Sequence, residues 1–175
     1  MQAAKYQMDI HHKRTSSRRG GFSLIEVLIA MLLTTLAIVS LIIANNAFTK
    51  ANDAGVDLST AEFLIEQIRE LTTLLATTDP VSGVSTFGPE TGETLASYDD
   101  LDDFDGASFS PPISAGRNSL NNFAAFTQQV TVENVSASDF EQVVSDHGSN
   151  FVRVTVKIFL HSKEIDSGSW LRARY

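Results

Sequence analysis

The sequence predicts an α+β fold in which one long N-terminal helix packs on a small antiparallel β-sheet. Residues 22–44 form an apolar run that contains a single charge, Glu26. Apolar residues continue at helical spacing to about Thr78, and from Phe123 onward they alternate with polar residues as in half-buried strands. A sheet that is apolar on one face needs a cover, which the amphipathic part of the helix can supply.

Length and composition indicate one small domain with appendages. The chain has 175 residues and a net charge of −8 at pH 7. Five basic residues precede the apolar run and only Asp9 opposes them, so the rest of the chain is strongly acidic. This acidity disfavours nucleic-acid binding, which requires neutralisation of phosphates. The chain has no cysteine for a disulfide or a thiolate metal site.

The sequence predicts a basic leader at residues 1–21, followed by a membrane helix at residues 22–44. The apolar run is long enough to cross a hydrocarbon core of about 30 Å. Because the positive charges lie before the run, we expect the N-terminal end to stay in the cytoplasm and the remainder to lie on the other side.

Three residues at the start of the apolar run point to more than an anchor. Gly21 has no side chain, so a protease can approach the peptide bond that follows it. Cleavage there would create an α-amine on Phe22 and make Glu26 the fifth residue of the processed chain. A carboxylate within a membrane costs about 2.5–3.5 kcal/mol on insertion scales and marks a functional position. Its natural partner is the new amine of a neighbouring copy.

Residues 18–44 resemble the type IV pilin and pseudopilin family, whose mark is a basic leader ending in Gly, then Phe, then a glutamate at the fifth position of an apolar helix. Gly21, Phe22 and Glu26 match this pattern. The resemblance implies a pilin-like fold, cleavage after Gly21 by the prepilin peptidase and methylation of the Phe22 amine. It also implies a single-pass protein of the inner membrane with its C-terminal domain in the periplasm. Its partners would be other major and minor pilins or pseudopilins.

Two departures favour a minor pilin or a pseudopilin over a bulk fibre subunit. Ile43 stands where major pilins often carry a helix-kinking Pro, and the C-terminal region lacks a Cys pair. The Asp-rich segment and the final strands resemble minor pilins of the mannose-sensitive haemagglutinin pilus type. We therefore expect a minor pilin of a type IV pilus. The alternatives are a pseudopilin of a type II secretion system and a membrane-anchored periplasmic binding module that does not assemble.

Two other interpretations of the N-terminus explain less of it. A plain signal anchor accounts for the apolar run and the charge bias, but it leaves Gly21 and Glu26 to chance. A twin-arginine signal fits Ser17-Arg18-Arg19, but Phe22 comes one place late and no A-x-A site follows the run.

Residues 45–78 are predicted to continue the helix with one apolar and one polar face. Asp79-Pro80 should end it, because the residue before a proline avoids helical geometry. Gly55 weakens the helix by about 1 kcal/mol relative to Ala. It is either a bending site or a small residue where the helix meets the globular domain.

The globular part, residues 79–175, contains an acidic loop at residues 98–106. Its carboxylates are weak candidates for a Ca²⁺ site, since Ca²⁺ takes six to eight oxygen ligands: Asp99, Asp100, Asp102, Asp103 and Asp105. The EF-hand pattern fails, because it places Leu101 at the first ligand position and Pro112 at the twelfth. The alternative is a solvated acidic turn that Leu101 and Phe104 anchor to the core. No other cofactor is indicated.

Alternation predicts strands from Phe126 to Glu133 and from Phe151 to His161. Residues 167–169, Ser-Gly-Ser, are predicted to turn the chain into a short last strand from Trp170 to Tyr175.

The sequence contains no pattern typical of a catalytic site, and we expect no enzyme. A group of basic residues on the predicted last strands could contact DNA: Arg153, Lys157, Arg172 and Arg174. Since the exterior is acidic, an ordinary outer face or a subunit contact is the favoured interpretation.

Overall fold

The computed structural model describes residues 20–79 and 86–174. Nearly all of the predicted leader, residues 1–19, and Tyr175 lie outside the described residues. The chain divides into two compact units, one ending at Phe48 and the other beginning at Thr49.

The regular structure of the described residues consists of one α-helix, α1 (Leu24–Thr72), and four strands, β1 (Ser108–Phe109), β2 (Phe126–Val135), β3 (Phe151–Leu160) and β4 (Lys163–Ala173). Two short 3₁₀-helices lie in the loops, at Asp102–Phe104 and Asn121–Phe123. The strands form an antiparallel sheet in the order β1-β2-β3-β4. The predicted α+β class, with a long N-terminal helix and a small antiparallel sheet, is confirmed.

The C-terminal part of α1 covers one face of this sheet. Its buried apolar residues recur every three or four positions, as the amphipathic pattern predicted: Ala61, Leu64, Ile65, Ile68 and Leu71. They join one core with the inward-facing residues of the two long central strands: Phe126, Val130, Val132, Val152, Val154, Val156 and Ile158. The helix therefore supplies the cover that the strand pattern requires.

A buried glutamine fixes the position of the helix on the sheet. Gln128 of β2 is fully buried, and its Nε2 donates to the carbonyl oxygens of Leu64, at 2.9 Å, and Ile113, at 3.2 Å. Its Oε1 accepts the Ile113 amide hydrogen at 2.7 Å. Because an unpaired buried amide is costly, these bonds favour one register between α1, β2 and the loop around Ile113.

The predicted turn at residues 167–169 is wrong, because β4 runs through it from Lys163 to Ala173. The turn before β4 consists of His161 and Ser162, whose φ angles are 49° and 67°. Positive φ at both central residues is typical of the tight type I′ hairpin turn. Sequence reasoning missed this turn because neither residue is the Asn or Gly that usually marks it.

Gly168 lies within β4 because the helix passes very close to it. A Cβ atom at this position would be 2.8 Å from Cγ2 of Ile65. Glycine inside a strand often marks such a close approach of another element. Its role here is to make room for α1.

The helix ends at Thr72, so its predicted continuation to residue 78 is wrong. Arg172 of β4 occupies the helix end and donates to three carbonyl oxygens: those of Thr72 at 2.7 Å, Thr73 at 2.8 Å and Leu75 at 3.1 Å. The last carbonyls of a helix lack intrahelical partners, and a cation there is favourable. This cap stabilises the end of the helix at Thr72.

The helix passes through Gly55 without interruption. A Cβ atom at Gly55 would meet nothing within 4 Å. Packing among the described residues therefore does not require a glycine there, and the interpretation as a close-contact residue is not supported. The bending site stays a prediction.

The substitution Gly168→Val should destabilise the globular unit by about 1–3 kcal/mol, since the added atoms force Ile65 away from the sheet. Thermal unfolding of the purified full chain measures this effect. Adding Ile65→Ala should make the combined loss smaller than the sum of the two single losses. Ser169→Val, at an exposed position of the same strand, serves as the control. Equal losses for Gly168→Val and Ser169→Val would contradict the close-contact explanation.

Candidate functional site

The junction between Gly21 and Phe22 is open to solvent. Gly20 and Gly21 lie before the helix in exposed chain without regular secondary structure, and Phe22 is 82% exposed. A Cβ atom at Gly21 would meet nothing within 4 Å. The bond after Gly21 is thus accessible among the described residues, as a proteolytic site requires.

Ser23 caps the first turn of α1. Its Oγ accepts the backbone N–H of Glu26 at 3.2 Å, and its carbonyl accepts that of Val27 at 3.2 Å. The same Glu26 amide also donates to the Ser23 carbonyl oxygen at 3.1 Å. Ser-x-x-Glu before an apolar run is the sequence pattern of a capping box, in which the N-cap hydroxyl accepts an amide hydrogen of the first turn. Sequence analysis missed this role, although the pattern was visible. The helix therefore begins at Leu24, two residues after the predicted start of the membrane helix.

Glu26 presents an exposed carboxylate one turn into the helix. It makes no ion pair with any residue that the structure describes. A shallow groove runs beside it and is lined by one helix face: Phe22, Glu26, Val27, Ala30, Met31 and Thr34. The carboxylate is therefore available to a cation from outside this part of the chain.

The apolar run that follows has no core of its own. Within α1, its most apolar window of 18 residues has a mean hydropathy of 2.8 and none of it is buried. The hydroxyls of Thr34, Thr35 and Ser40 donate to backbone carbonyls within the helix. Because these polar groups are satisfied internally, the segment suits hydrocarbon, and its length is sufficient to cross a membrane.

The acidic loop is more buried than a solvated turn. Leu101 and Phe104 anchor it to the core, as expected, but Asp100, Asp102 and Asp103 are at most 3% exposed. Asp99 is exposed, and Asp105 accepts the Val132 amide hydrogen at 2.9 Å. Three of the five aspartates are therefore buried, Asp99 lies at the surface, and Asp105 is hydrogen-bonded to β2.

Two glutamates that sequence analysis missed lie beside the buried aspartates. One carboxylate oxygen each of Glu90, Glu93 and Asp103 lies within 4.8 Å of the others. Burial, with the charge of Asp102 next, raises the pKa of Asp100 to about 7. Burial also raises the pKa of Asp103 to about 6, assisted by the charge of Asp100. The loop therefore holds several carboxylates in a setting that disfavours their charged forms.

Three of the four basic residues considered for DNA have side chains that bond to carboxylates or backbone carbonyls of the described residues. Arg153 pairs with Glu133 at 2.9 Å and with Glu141 at 3.5 Å, and Lys157 pairs with Glu164 at 3.2 Å. Arg172 caps α1, while the Arg174 amide hydrogen bonds to the Asn150 carbonyl. The side chains of Arg153, Lys157 and Arg172 are therefore held by contacts within the globular unit.

Comparison with known proteins finds one match, which is confined to the N-terminal segment. The family model of the prokaryotic N-terminal methylation motif matches residues 16–44, which include the open junction, the capped helix start and Glu26. The match supports the type IV pilin and pseudopilin family for this chain. This family is structural, and its motif implies processing by the prepilin peptidase and assembly with other pilins. No curated protein and no solved structure matches the chain.

Replacing Ser23 by Ala should loosen the first turn of α1, because the Glu26 amide loses its side-chain acceptor and keeps only the Ser23 carbonyl oxygen. An N-cap contributes about 1 kcal/mol to the stability of the helix. Its loss corresponds to about a fivefold loss of protection of the Glu26 amide in hydrogen exchange. Ser23→Thr should retain protection. Ser40→Ala removes a hydroxyl in the helix interior and is the matched control. A Glu26 amide equally protected in Ser23→Ala and the wild type would exclude the cap.

Proposed function

We propose that this chain is a minor pilin of a type IV pilus. It is cleaved after Gly21, methylated at the Phe22 amine and assembled through its N-terminal helix. The observation that carries the proposal is the coincidence of the methylation motif, at residues 16–44, with an exposed glycine junction and an exposed apolar run. The one acidic residue of this run, Glu26, makes no ion pair among the described residues.

The processing step follows from the accessibility of the junction. A peptidase in the membrane must bind an extended substrate, and residues 20–23 precede the helix rather than belonging to it. The cap at Ser23 lies beyond the cleaved bond, so the helix start survives cleavage. After removal of the leader, the new amine of Phe22 lies one turn from Glu26.

The assembly step follows from the exposed apolar side chains of α1. Side chains such as Leu24, Met31 and Leu41 are 82%, 61% and 70% exposed, respectively. Water cannot cover so extended an apolar surface without a large free-energy penalty. The lipid bilayer covers it before assembly and the helices of neighbouring subunits cover it in the fibre. Glu26 then neutralises the Phe22 amine of an adjacent subunit in a poorly hydrated setting.

The orientation in the membrane follows from the charge distribution. The basic residues of the leader keep the N-terminal side in the cytoplasm, and the acidic globular unit lies in the periplasm until assembly. The absence of a Cys pair and the Ile at position 43 support a minor subunit over the bulk fibre subunit.

The two alternatives predict different phenotypes. A pseudopilin of a type II secretion system shares the same processing and assembly, but its deletion would stop secretion of exported enzymes and leave pili intact. A membrane-anchored binding module would keep its activity without cleavage after Gly21. Deletion of the gene, scored for both pili and secretion, separates the first two functions.

Cleavage predicts a mature chain that begins at N-methylated Phe22. Mass spectrometry of the N-terminal peptide, from protein expressed in its native membrane, measures this directly. Gly21→Leu should abolish cleavage, since a side chain obstructs the peptidase, whereas Gly20→Ala should be tolerated. An intact leader on the wild-type chain would contradict the processing step.

Glu26→Gln should reduce incorporation into pili by at least about tenfold, because loss of a buried charge partner costs about 2–5 kcal/mol. Immunoblotting of sheared pili against the membrane fraction measures incorporation. Cleavage and membrane insertion should be unchanged. Glu62→Gln, an exposed glutamate of the same helix, is the control. Wild-type incorporation of Glu26→Gln would rule out the proposed pairing.

A further inference from the structure

The last strand, β4, forms one edge of the sheet. The order β1-β2-β3-β4 gives β4 a neighbour on one side and, among the described residues, no strand on the other. The opposite edge is only two residues long, Ser108–Phe109, whereas β4 extends over 11 residues, Lys163–Ala173. A long edge strand presents a row of unpaired backbone N–H and C=O groups to any other chain.

Alternate residues of β4 direct their backbone groups away from the sheet. The amide hydrogen of Arg174 bonds to the carbonyl oxygen of Asn150 at 2.8 Å, in the register of β3 and β4. In an antiparallel ladder, every second residue bonds to the neighbouring strand. Counting back in twos from Arg174, the residues that bond to β3 are Arg172, Trp170 and Gly168. The residues between these have exposed side chains and backbone groups that face outward: Ser167, Ser169, Leu171 and Ala173.

The centre of this edge is open and unprotected. The Ser167 amide donates to Oδ1 of Asp166 at 2.9 Å, but the outward amides of Ser169 and Leu171 have no partner among the described residues. Native edge strands are usually protected by proline, by charge or by a bulge. The stretch from Ser167 to Leu171 has no proline and no charge, and the irregularity in its pairing with β3 lies earlier in β4. This stretch can therefore accept another strand.

A slot continues the edge at the C-terminal end of β4. We use this name for the groove of about 400 Å³ between the chain that follows α1, residues 73–78, and the end of β4, residues 172–174. One of its lining residues, Leu74, is 92% exposed, the highest value among the large apolar side chains of the described residues. A peptide that lay along β4 and entered the slot would remove this apolar surface from water.

The slot carries positive charge, although the chain as a whole is acidic. Arg172 and Arg174 line it together with uncharged residues, and no described acidic residue does so. The guanidinium of Arg172 already donates to the carbonyl oxygens at the end of α1. Arg174 is exposed and makes no ion pair among the described residues. The available cation of the slot is therefore Arg174, and its natural partner is a carboxylate.

We propose that β4 binds an extended peptide segment of another protein, which adds a strand along residues 167–171 and places an acidic side chain beside Arg174 in the slot. Hydrogen bonds between the two main chains supply the affinity in this mode of recognition, and pockets for side chains supply the specificity. The uncharged centre of the edge fits uncharged residues of the peptide. This binding surface goes beyond the assembly role of the N-terminal helix.

A strand from another protein fits the edge better than β4 of a second copy. Antiparallel pairing of two β4 strands would be an isologous contact, in which a twofold axis points the two α1 helices in opposite directions. Two chains anchored in one membrane by α1 cannot adopt that arrangement. The choice of partner therefore rests on the proposed function, whereas the open edge and the slot do not.

Strand addition predicts protection that alternates along β4. The probe is a synthetic peptide with both termini blocked, Glu-Thr-Val-Thr-Val-Thr-Glu, added to the full chain in detergent, where neither processing nor assembly takes part. Amide hydrogen exchange is followed at single-residue resolution. Saturating peptide should slow exchange of the Ser169 and Leu171 amides by about tenfold, because they gain acceptors. The amides of Gly168 and Trp170 already bond to β3 and should change little. Equal slowing at all four amides, or slowing at none, would overturn the proposal.

Matched variants test the place of the carboxylate. Arg174→Gln should weaken binding of the labelled peptide about threefold, as measured by fluorescence anisotropy. Lys163→Gln removes a cation from the other end of the same strand and should leave the affinity unchanged. A peptide with Gln in place of both Glu residues should bind the wild type and Arg174→Gln equally. Equal weakening by Arg174→Gln and Lys163→Gln would contradict the site, because it would reflect only general attraction of an acidic peptide.

Two further variants test the edge and the slot separately. Ser169→Pro removes an amide that faces away from β3, which an edge strand tolerates, and it should abolish peptide binding. Leu74→Ser leaves β4 intact and should weaken binding, whereas Leu58→Ser, at an exposed leucine of α1, should not. Wild-type affinity in both Ser169→Pro and Leu74→Ser would exclude the surface. Protection of the Ser169 amide that rises with protein concentration and needs no peptide would assign the edge to a second copy and overturn the proposal.

Discussion

The structure depends on one constraint, which is that the apolar side chains of a 49-residue helix need neighbours other than water. The sheet provides them only for the stretch from Ala61 to Leu71. The apolar residues of α1 before Phe48 are exposed among the residues that the structure describes. A subunit of this kind is complete only in a bilayer or among other helices, and the processing signal at its N-terminus is consistent with both settings in succession.

The parts of the fold that arise from local periodicity could be predicted from the sequence. The helix, its amphipathic half and the two long strands follow from spacings of 3.6 and 2 residues. Two of the errors involve distant contacts. Arg172 lies 100 residues from the carbonyl it caps, and Gly168 is required by Ile65 on another element. Arg172 is far in sequence from the helix end that it caps, and Ile65 is far from the strand in which it requires a glycine. Local patterns therefore placed the helix end and the last turn wrongly.

The two candidate sites also differ in how far they could be predicted from local sequence patterns. The N-terminal site is a contiguous motif, so Gly21, Phe22 and Glu26 could be named from the sequence, and only the cap by Ser23 was overlooked. The acidic site depends on burial. Carboxylate density suggested five aspartates, but folding removes Asp99 and Asp105 from the group and adds Glu90 and Glu93. The number of carboxylates in a stretch of sequence does not show which of them are buried and which are solvated.

The bonds made by Gln128 and Arg172 also have a mechanical consequence. A subunit held in a fibre by its N-terminal helix receives tension through α1. Gln128 passes that load to β2, by way of Leu64, and Arg172 passes it to β4 at the helix end. Both strands are hydrogen-bonded along their length to β3, which lies between them. Pulling on the helix therefore loads the two sides of the sheet together, and no single strand has to resist the force alone.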